Sequence, residues 1–310
     1  MLKYLVKRLL VGLLTIFILV TIVFFLMFTL PGSPFDSDST SDVVTDPRVI
    51  AIIEQEYNLD KPVPVQYWLY LKGLVRGDLG FSFKKAGVRV SDIVVDLAPI
   101  TIKLGSVAFI IALVLGITLG VVAALSRSES VRALITAMAT IGISVPGFLL
   151  AIFLIYFFAV RLNLLPIIGL KSWQHYVLPG LALSFYPIAY LSRLVRSTLT
   201  ESLTQDYIVM ARSKGLSRRT IVFEHALPNT LIPVITYLGP LIASLLTGSF
   251  VVESIFAIPG IGREMVQAIQ GRDYSVILGM TIFIGAFVIF MNIVADILLA
   301  VVDPRIRLDA

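Results

Sequence analysis

The chain has 310 residues, of which 57% are hydrophobic and 15% are charged, and it contains no cysteine. This apolar content exceeds what the core of one soluble domain needs, and the lack of cysteine excludes disulfides, thiolate metal sites and a cysteine nucleophile. The formal net charge of +5 fits basic residues that hold the cytoplasmic loops of a membrane protein inside better than it fits a nucleic-acid-binding surface.

The first predicted element is a membrane-spanning helix at residues 9–30, which Lys3, Lys7 and Arg8 precede. A span needs about 20 apolar residues, whereas the apolar region of a signal peptide has about 7–15. The run is longer than such a region, and it ends in "PGSPF" rather than in a small-residue cleavage site. We therefore predict an uncleaved anchor with a cytoplasmic N-terminus.

The sizeable extramembrane segment is predicted at residues 31–96. Asp46 and Pro47 are typical of a helix start, and Asn58 can end that helix. A second helical pattern runs over residues 62–77, with a glycine as its stop. Two interpretations remain open: amphipathic helices that lie on the outer surface of the spans, or part of a docking face for an external partner.

Five further apolar stretches complete a predicted bundle of six transmembrane helices. They lie at residues 105–125, 133–160, 178–195, 230–252 and 275–302. The third span is interrupted by "SVPG", and prolines also fall inside the fourth and fifth spans. An even number of spans puts both termini on one side, and the basic residues of the short connections concentrate there, which predicts cytoplasmic termini.

The predicted fold class is therefore an all-α integral membrane protein with three parts. Residues 1–30 form the first span, and residues 31–96 form the extracytoplasmic segment. Residues 97–310 form a five-helix core that carries a cytoplasmic loop at residues 197–228. No internal repeat is evident, so the sequence gives no support to the duplicated halves of many secondary transporters.

Motifs of catalysis and of ATP binding are absent from the sequence. It has no G-x-x-x-x-G-K-[ST], no H-E-x-x-H and no G-x-S-x-G, and "PGIG" is typical of a turn. The two histidines lack metal-ligand spacing. Asn292 and Asp296 share a helix face in the last span, where interhelical hydrogen bonding is favoured over an intramembrane protease or transferase. We predict a chain that is not an enzyme and holds no metal.

A charged stretch at residues 206–229, between the fourth and fifth spans, predicts two short helices joined by a tight turn. The first helix leaves the fourth span and carries Tyr207 and Ala211 on its apolar stripe. Gly215 ends this helix, because glycine adopts the left-handed conformation most easily. Ser217 can cap the second helix. The segment is thus predicted to form an elbow.

Leu216 and Ile221 are spaced for a hydrophobic staple, and the second helix is predicted to end at residues 227–228. The four basic residues of the tip, residues 211–219, are Arg212, Lys214, Arg218 and Arg219. Three interpretations compete: a loop that touches anionic lipid headgroups, a nucleic-acid-binding helix-turn-helix, and a rigid lever moved by a cytoplasmic partner. Membrane anchoring argues against nucleic acid, and a merely retained loop needs neither stop, cap nor staple.

The segment "YIVMARSKGLSRRTIVFEHALPN" resembles the cytoplasmic signature loop of ABC-importer membrane subunits of the dipeptide, oligopeptide and nickel permease family. The positions that match the general signature are Ala211, Gly215, Leu227 and Pro228. Those that depart from it are Val209, Met210 and His225. The segments "PGSPF", "GDLGFSF", "VVESIFAIPGIG" and "DPRIR" are similar to this family in the same order, so the resemblance covers nearly the whole chain. Several details are most similar to the first membrane subunit of oligopeptide permeases.

The resemblance implies a type I ABC importer permease fold in the bacterial cytoplasmic membrane. It also implies a second homologous membrane subunit, two ATPase subunits that bind ATP and Mg²⁺, and an extracytoplasmic protein that delivers peptide. The chain itself would hold no cofactor, and its signature loop would be the coupling helix on one ATPase. The coupling residues would be Tyr207, Ala211, Arg212, Lys214, Gly215, Leu216, Ser217, Arg218 and Ile221.

Candidates for the pathway and its gating are Pro146, Pro187, Pro240 and Glu253. The prolines supply either mobile bends or static kinks. Glu253 lies at the outer end of the fifth span, where we expect the most exposed of these side chains, as a gate, a binding-protein contact or an ordinary interfacial carboxylate. The alternatives to an oligopeptide importer are a dipeptide or nickel permease, and a gated channel or secondary carrier that acts without ATPases.

Overall fold

The computed structural model describes residues 2–29, 55, 58–85 and 87–302, with side chains at residues 6–29, 55, 58–85 and 87–297. Apart from an isolated bridge between Phe81 and Arg89, the regular structure in these ranges is helical. The helices are α1 (Leu2–Thr29), α2 (Val63–Val75), α3 (Val90–Leu125), α4 (Glu129–Ser144), α5 (Gly147–Leu154), α6 (Val177–Ser202), α7 (Asp206–Ser213), α8 (Arg218–Thr220), α9 (Leu227–Leu246), α10 (Phe250–Ile255), α11 (Ile261–Gly271) and α12 (Tyr274–Val302). π-Helical turns extend α5 over Ile155–Arg161 and join α8 to α9 over Ile221–Ala226, and a 3₁₀ turn over Trp173–Tyr176 precedes α6.

Five helical stretches of the described chain are long and apolar enough to cross a membrane. They are Val6–Thr29, Val90–Leu125, Trp173–Ser202, Arg218–Ile255 and Tyr274–Ile297. A sixth span is obtained by counting the pair α4 and α5 as one, and this pair is bent by 111°. The six predicted spans are therefore present, but the third is two helices that meet at a sharp angle. Pro146 is responsible, because it lacks an amide hydrogen and forces the extended backbone of Val145.

The second span begins much earlier than the sequence predicts. Helix α3 starts at Val90 rather than at residue 105, and it crosses the boundary predicted between residues 96 and 97. The charged residues Asp92, Asp96 and Lys103 hid this extension, because a helix can continue beyond the hydrocarbon core, where charges are solvated.

The outer segment is described only from residue 58, apart from residue 55, so most of the helix predicted to begin at Asp46 lies outside the described residues. The second predicted outer helix is confirmed as α2, and Gly77 follows its end with a left-handed φ of 77°. Tyr67 fixes α2 to the first span, since its ring lies 5.2 Å from that of Phe24 and its hydroxyl is 2.6 Å from Thr21 Oγ1.

A second attachment of the outer segment is the buried carboxylate of Asp273, just before α12. It accepts hydrogen bonds from the Ser82 hydroxyl, from the amide of Phe83 at 3.1 Å and from the amide of Lys84 at 3.3 Å. The same carboxylate accepts the amide of Val276 at 3.3 Å, as an N-cap of α12. The turn after residue 81 is thereby tied to the last span.

Helices α3 and α6 form the most extensive helix–helix contact among the described residues. The buried small residues of α3 recur every fourth position, at Ala108, Ala112, Gly116 and Gly120. A Cβ atom added to Gly116 or to Gly120 would lie 2.6 Å from the Cβ of Leu191 or Val195, respectively. Small residues at this spacing let helix backbones approach closely in a membrane, where burial from water does not drive association.

Candidate functional site

The elbow between the fourth and fifth spans begins with a break that the sequence does not predict. Helix α6 ends at Ser202 and α7 begins at Asp206, so the predicted continuous helix is wrong. The hydroxyl of Ser202 lies 2.5 Å from that of Tyr207 and donates to the carbonyl of Ala226 at 3.3 Å. These contacts stabilise a bend between α6 and α7. The bend contains neither glycine nor proline, so the sequence lacks the usual signal of a helix break there.

The turn at Gly215 has the predicted form. Gly215 adopts a φ of 77°, its amide donates to the Arg212 carbonyl at 2.9 Å, and the Leu216 amide donates to the Ala211 carbonyl at 3.3 Å. This pair of bonds is the Schellman motif that ends a helix on a left-handed residue. A Cβ on Gly215 would meet nothing within 4 Å, so the backbone angle and not the space requires glycine.

The restart after the turn is capped as predicted. Ser217 Oγ accepts the amide of Thr220 at 3.1 Å. Leu216 and Ile221 line one cavity of about 530 Å³, and Ile221 is 4% exposed whereas Leu216 is 39% exposed. The second helix does not end at residues 227–228, however. It continues through the π-helical turns into α9, whose first turn contains Pro228.

A buried apolar cluster joins the elbow to three spans. Its members are Leu199, Ile208, Ala211, Ile221 and Ala226, with Val121, Ala124 and Leu125 of α3 packed against them. The Arg218 guanidinium donates to the Leu125 carbonyl at 3.4 Å, and Asn229 Nδ2 donates to the Tyr207 hydroxyl at 3.2 Å. Residues 212–219 are all exposed, including the basic side chains Arg212, Lys214, Arg218 and Arg219. The root of the elbow is therefore packed while its tip faces solvent.

Glu253 is buried, with 0% of its surface exposed, so its predicted exposure at the outer end of the fifth span is wrong. Thr101 donates to Glu253 Oε1 at 3.0 Å, and the amide of Arg263 donates to Oε2 at 3.0 Å. The Thr101 hydroxyl also accepts the amide of Ile261 at 2.9 Å. The carboxylate thus holds the connection between α10 and α11 against the second span.

Three glycines leave the room that this carboxylate occupies. A Cβ on Gly248, Gly260 or Gly262 would come within 2.6, 2.5 or 3.0 Å of a Glu253 carboxylate oxygen. The glycine-rich "PGIG", which the sequence marks as a turn, is a turn only up to Gly260, because α11 begins at Ile261, and its glycines leave room for Glu253 and Thr101. A polar side chain that reaches across to another span gives no periodic signal in the sequence, and burial of Glu253 could not be read from its position.

The three candidate prolines lie in different surroundings. Pro146 is exposed at the bend between α4 and α5, Pro187 is buried inside α6, and Pro240 is exposed inside α9. Asp296 lies near the cytoplasmic end of the last span and forms an ion pair with Arg8 of α1, at 2.6 Å. Asn292 is one turn earlier on the same helix. Among the described residues, no group of three or more His, Asp or Glu side chains could hold a metal ion.

Comparison with known proteins places these features in one family. The family described as "Binding-protein-dependent transport system inner membrane component" matches residues 116–308, and the N-terminal family "Binding-prot-dependent transport system membrane comp, N-term" matches residues 1–105. The dipeptide transport system permease protein DppB of Bacillus subtilis (strain 168) is 44% identical over 99% of both chains. The oligopeptide transport system permease protein OppB of Haemophilus influenzae is 42% identical over 99% of this chain and all of that protein.

Solved structures confirm the predicted fold. A chain of the methionine ABC transporter MetNI, in inward-facing conformations, matches with a TM-score of 0.58 at 20% identity, over 68% of this chain and 96% of that one. A chain of an amino acid ABC transporter with histidines matches with a TM-score of 0.53 at 17% identity, over 70% and 95% of the two chains. The architecture is that of a type I ABC importer permease, and the chain belongs to the family of inner-membrane components of binding-protein-dependent transport systems.

Proposed function

We propose that this chain is the membrane-spanning subunit of an ATP-driven peptide importer. It pairs with a second homologous membrane subunit, so that peptide crosses between the two. Two cytoplasmic ATPase subunits bind ATP and Mg²⁺, and an extracytoplasmic binding protein delivers the peptide. The chain itself carries no catalytic residue and no cofactor. The names of the full-length relatives support peptide as the substrate class.

The observation that carries this proposal is the elbow with a packed root and an exposed tip. Its root shares one apolar cluster with α3, with α6 and with the π-helical turns that lead into α9, so a displacement of residues 211–219 is transmitted to three spans. Packed interiors transmit such displacement because they have little free volume. The exposed turn at Gly215, capped on both sides, presents a shaped surface that an ATPase groove can hold.

The substrate is proposed to be an oligopeptide. The segments "PGSPF" and "YNLDKPVPVQY" are most similar to oligopeptide permeases, although relatives named for dipeptides and for oligopeptides are 44% and 42% identical. A dipeptide or nickel permease is the alternative. The binding protein selects what reaches the membrane subunits. The ligands that the binding protein binds therefore distinguish an oligopeptide importer from a dipeptide or nickel permease.

The tip is tested by Leu216→Asp in the purified complex, reconstituted with the binding protein in proteoliposomes. The new carboxylate lies in the cavity beside Ile221, where Arg127, Arg212 and Arg218 attract it, so it distorts the tip but leaves the buried root in place. We expect ATP hydrolysis to persist while peptide import falls at least tenfold, and Leu216→Met to import normally. Normal import by Leu216→Asp would contradict the coupling role.

A channel or secondary carrier that acts alone is the alternative of a different class. It would need no ATPase, and its elbow would be dispensable. Purification of the tagged chain from its native membrane distinguishes the two proposals. We expect a second membrane subunit and two ATPase subunits to co-purify; peptide transport by the chain alone would contradict the importer.

A further inference from the structure

The exposed side of α6 begins at Tyr186 and is polar from there to the end of the helix. Its exposed residues are Tyr186, Tyr190, Arg193, Ser197, Thr200 and Glu201, and the first five follow one another at helical spacing. Helix α1, by contrast, exposes leucine, valine, isoleucine and phenylalanine. A phenol or hydroxyl group in contact with hydrocarbon loses its hydrogen bonds with water at a cost of free energy. The exposed stripe of α6 therefore does not face lipid.

A second stripe of the same kind lies on α9. Its exposed residues at helical spacing are Asn229, Pro233, Thr236, Pro240 and Ser244. None of these residues is charged. The single large apolar side chain of α9 that is comparably exposed is Ile232, which lies beside them and is 40% exposed. Pro233 and Pro240 have no amide hydrogen to pair with the carbonyls of Asn229 and Thr236, respectively. Because these carbonyls lack their usual helical partner, they favour a polar environment.

The two stripes meet at three tyrosines in the middle of the membrane-spanning helices. The ring centroids of Tyr190 and Tyr237 are 4.3 Å apart, and those of Tyr186 and Tyr190 are 6.5 Å apart. Within the described ranges, no hydrogen bond engages the hydroxyl groups of these tyrosines. Tyrosines of a membrane protein are normally enriched at the two interfaces, where the hydroxyl reaches water. A cluster at the centre needs a polar environment of its own.

We propose that the face defined by the α6 and α9 stripes lines an aqueous passage, and that Tyr186, Tyr190 and Tyr237 contact the peptide within it. This inference rests on the proposed function and names the part of the chain that meets the substrate. Toward the cytoplasmic end the α6 stripe opens into a cavity of about 550 Å³ lined by Arg193, Ser197 and Thr200. The face therefore leads from the tyrosines to the cytoplasmic side of the bundle.

The chemistry of this face suits a peptide of variable sequence. A phenol hydroxyl donates to a peptide carbonyl or accepts a peptide amide, and both groups occur in every peptide. The tyrosine ring packs on an apolar side chain or beneath a cationic one. Such contacts are individually weak, and a passage needs weak contacts because its occupant must also leave. A tight contact with the second membrane subunit would instead favour small residues, as between α3 and α6.

Thiol labelling tests the proposal in the complete, reconstituted complex. The chain has no cysteine, so Tyr190→Cys and Thr236→Cys each introduce a single thiol into it. We expect a charged, membrane-impermeant methanethiosulfonate reagent to modify both from the aqueous side, in a complex whose other subunits are cysteine-free. Modification of Tyr190→Cys is expected to block import. Phe17→Cys, on the apolar exposed face of α1, is expected to remain unmodified.

Two further variants separate the ring from the hydroxyl group. We expect Tyr190→Ala to raise the peptide KM for import about three- to tenfold and Tyr190→Phe to raise it less, since the ring provides part of the contact. Phe17→Ala removes an exposed ring elsewhere and is expected to leave import unchanged. If the complex imports peptide but the introduced cysteines stay unmodified, the face is covered by the second subunit and this inference is wrong, while the proposed function stands. If the intact complex imports no peptide, the proposed function itself fails.

Discussion

The cytoplasmic end of the bundle is shaped by backbone turns around an apolar cluster, whereas the outer end is held by two buried carboxylates. At the cytoplasmic end, the Schellman turn at Gly215 and the cap at Ser217 use local hydrogen bonds. At the outer end, Glu253 and Asp273 accept hydrogen bonds from residues that are distant in sequence. Local bonds persist when a segment moves as a unit, and long-range bonds do not. The tip of the elbow, whose one long-range hydrogen bond among the described residues is the exposed 3.4 Å contact of Arg218 with the Leu125 carbonyl, is thus easier to displace than the outer end.

The largest effect is expected from Glu253→Ala, because it removes the acceptor shared by Thr101 and the Arg263 amide. The variant leaves buried donors unpaired among three glycines that cannot fill the space. We expect a loss of about 3 kcal/mol in the free energy of unfolding. Thermal unfolding of the purified complex measures this loss. We expect the stability of Glu253→Gln to lie between those of the unmodified protein and Glu253→Ala, because the glutamine amide keeps one acceptor oxygen.

The control for this variant is Glu129→Ala, since the side chain of Glu129 is 93% exposed. Its removal is expected to change stability by less than about 0.5 kcal/mol. Equal unfolding temperatures for Glu253→Ala and Glu129→Ala would remove the basis for the contrast between the two ends.

The second-largest effect is expected from Asp273→Ala, which releases the turn at residues 82–85 from the start of α12. We expect a loss of about 2 kcal/mol, from the buried hydroxyl of Ser82, from the partly buried amides of Phe83 and Lys84 and from the lost cap. Amide hydrogen exchange at residues 82–85 is expected to accelerate. The control is Asp78→Ala, which removes an exposed carboxylate of the same segment that accepts one amide hydrogen bond. Unchanged hydrogen exchange in Asp273→Ala would contradict the role of Asp273 in holding the outer segment.

The sequence predicts local features of this fold well and long-range ones poorly. The spans, the stop at Gly215 and the cap at Ser217 follow from hydropathy and from single residues whose conformational preferences are strong. The start of α3 at Val90 was missed because hydropathy detects the hydrocarbon core and not the helix itself. The burial of Glu253 depends on Thr101, 152 residues away, and no local pattern records such a partner. The small residues of α3, spaced by four, were a readable signal of its contact with α6.

A matched pair of glycines isolates the role of the elbow from its local strain. Gly215 and Gly77 both have a φ of 77°, both follow helix ends, and neither would bring a Cβ within 4 Å of another atom. We expect Gly215→Ala and Gly77→Ala to lower the free energy of unfolding by the same amount, about 1 kcal/mol, because both variants force alanine into the left-handed conformation. Only Gly215→Ala is expected to reduce the import of peptide per ATP hydrolysed in proteoliposomes. Equal losses of this ratio in both variants would mean that strain alone, and not the elbow, sets the coupling.

The smallest effect is expected at the ion pair between Arg8 and Asp296, which joins the first and last spans. The two side chains are 45% and 20% exposed, so water and salt screen their attraction, unlike the hydrogen bonds of Glu253. A double-mutant cycle with Arg8→Gln and Asp296→Asn isolates the pair from the other contacts of each residue. We expect a coupling energy below about 1 kcal/mol that decreases as salt is added, measured by thermal unfolding. A coupling as large as the loss of about 3 kcal/mol expected from Glu253→Ala would place a strong charge contact at the cytoplasmic end too, and the two ends would then differ in position but not in the chemistry that holds them.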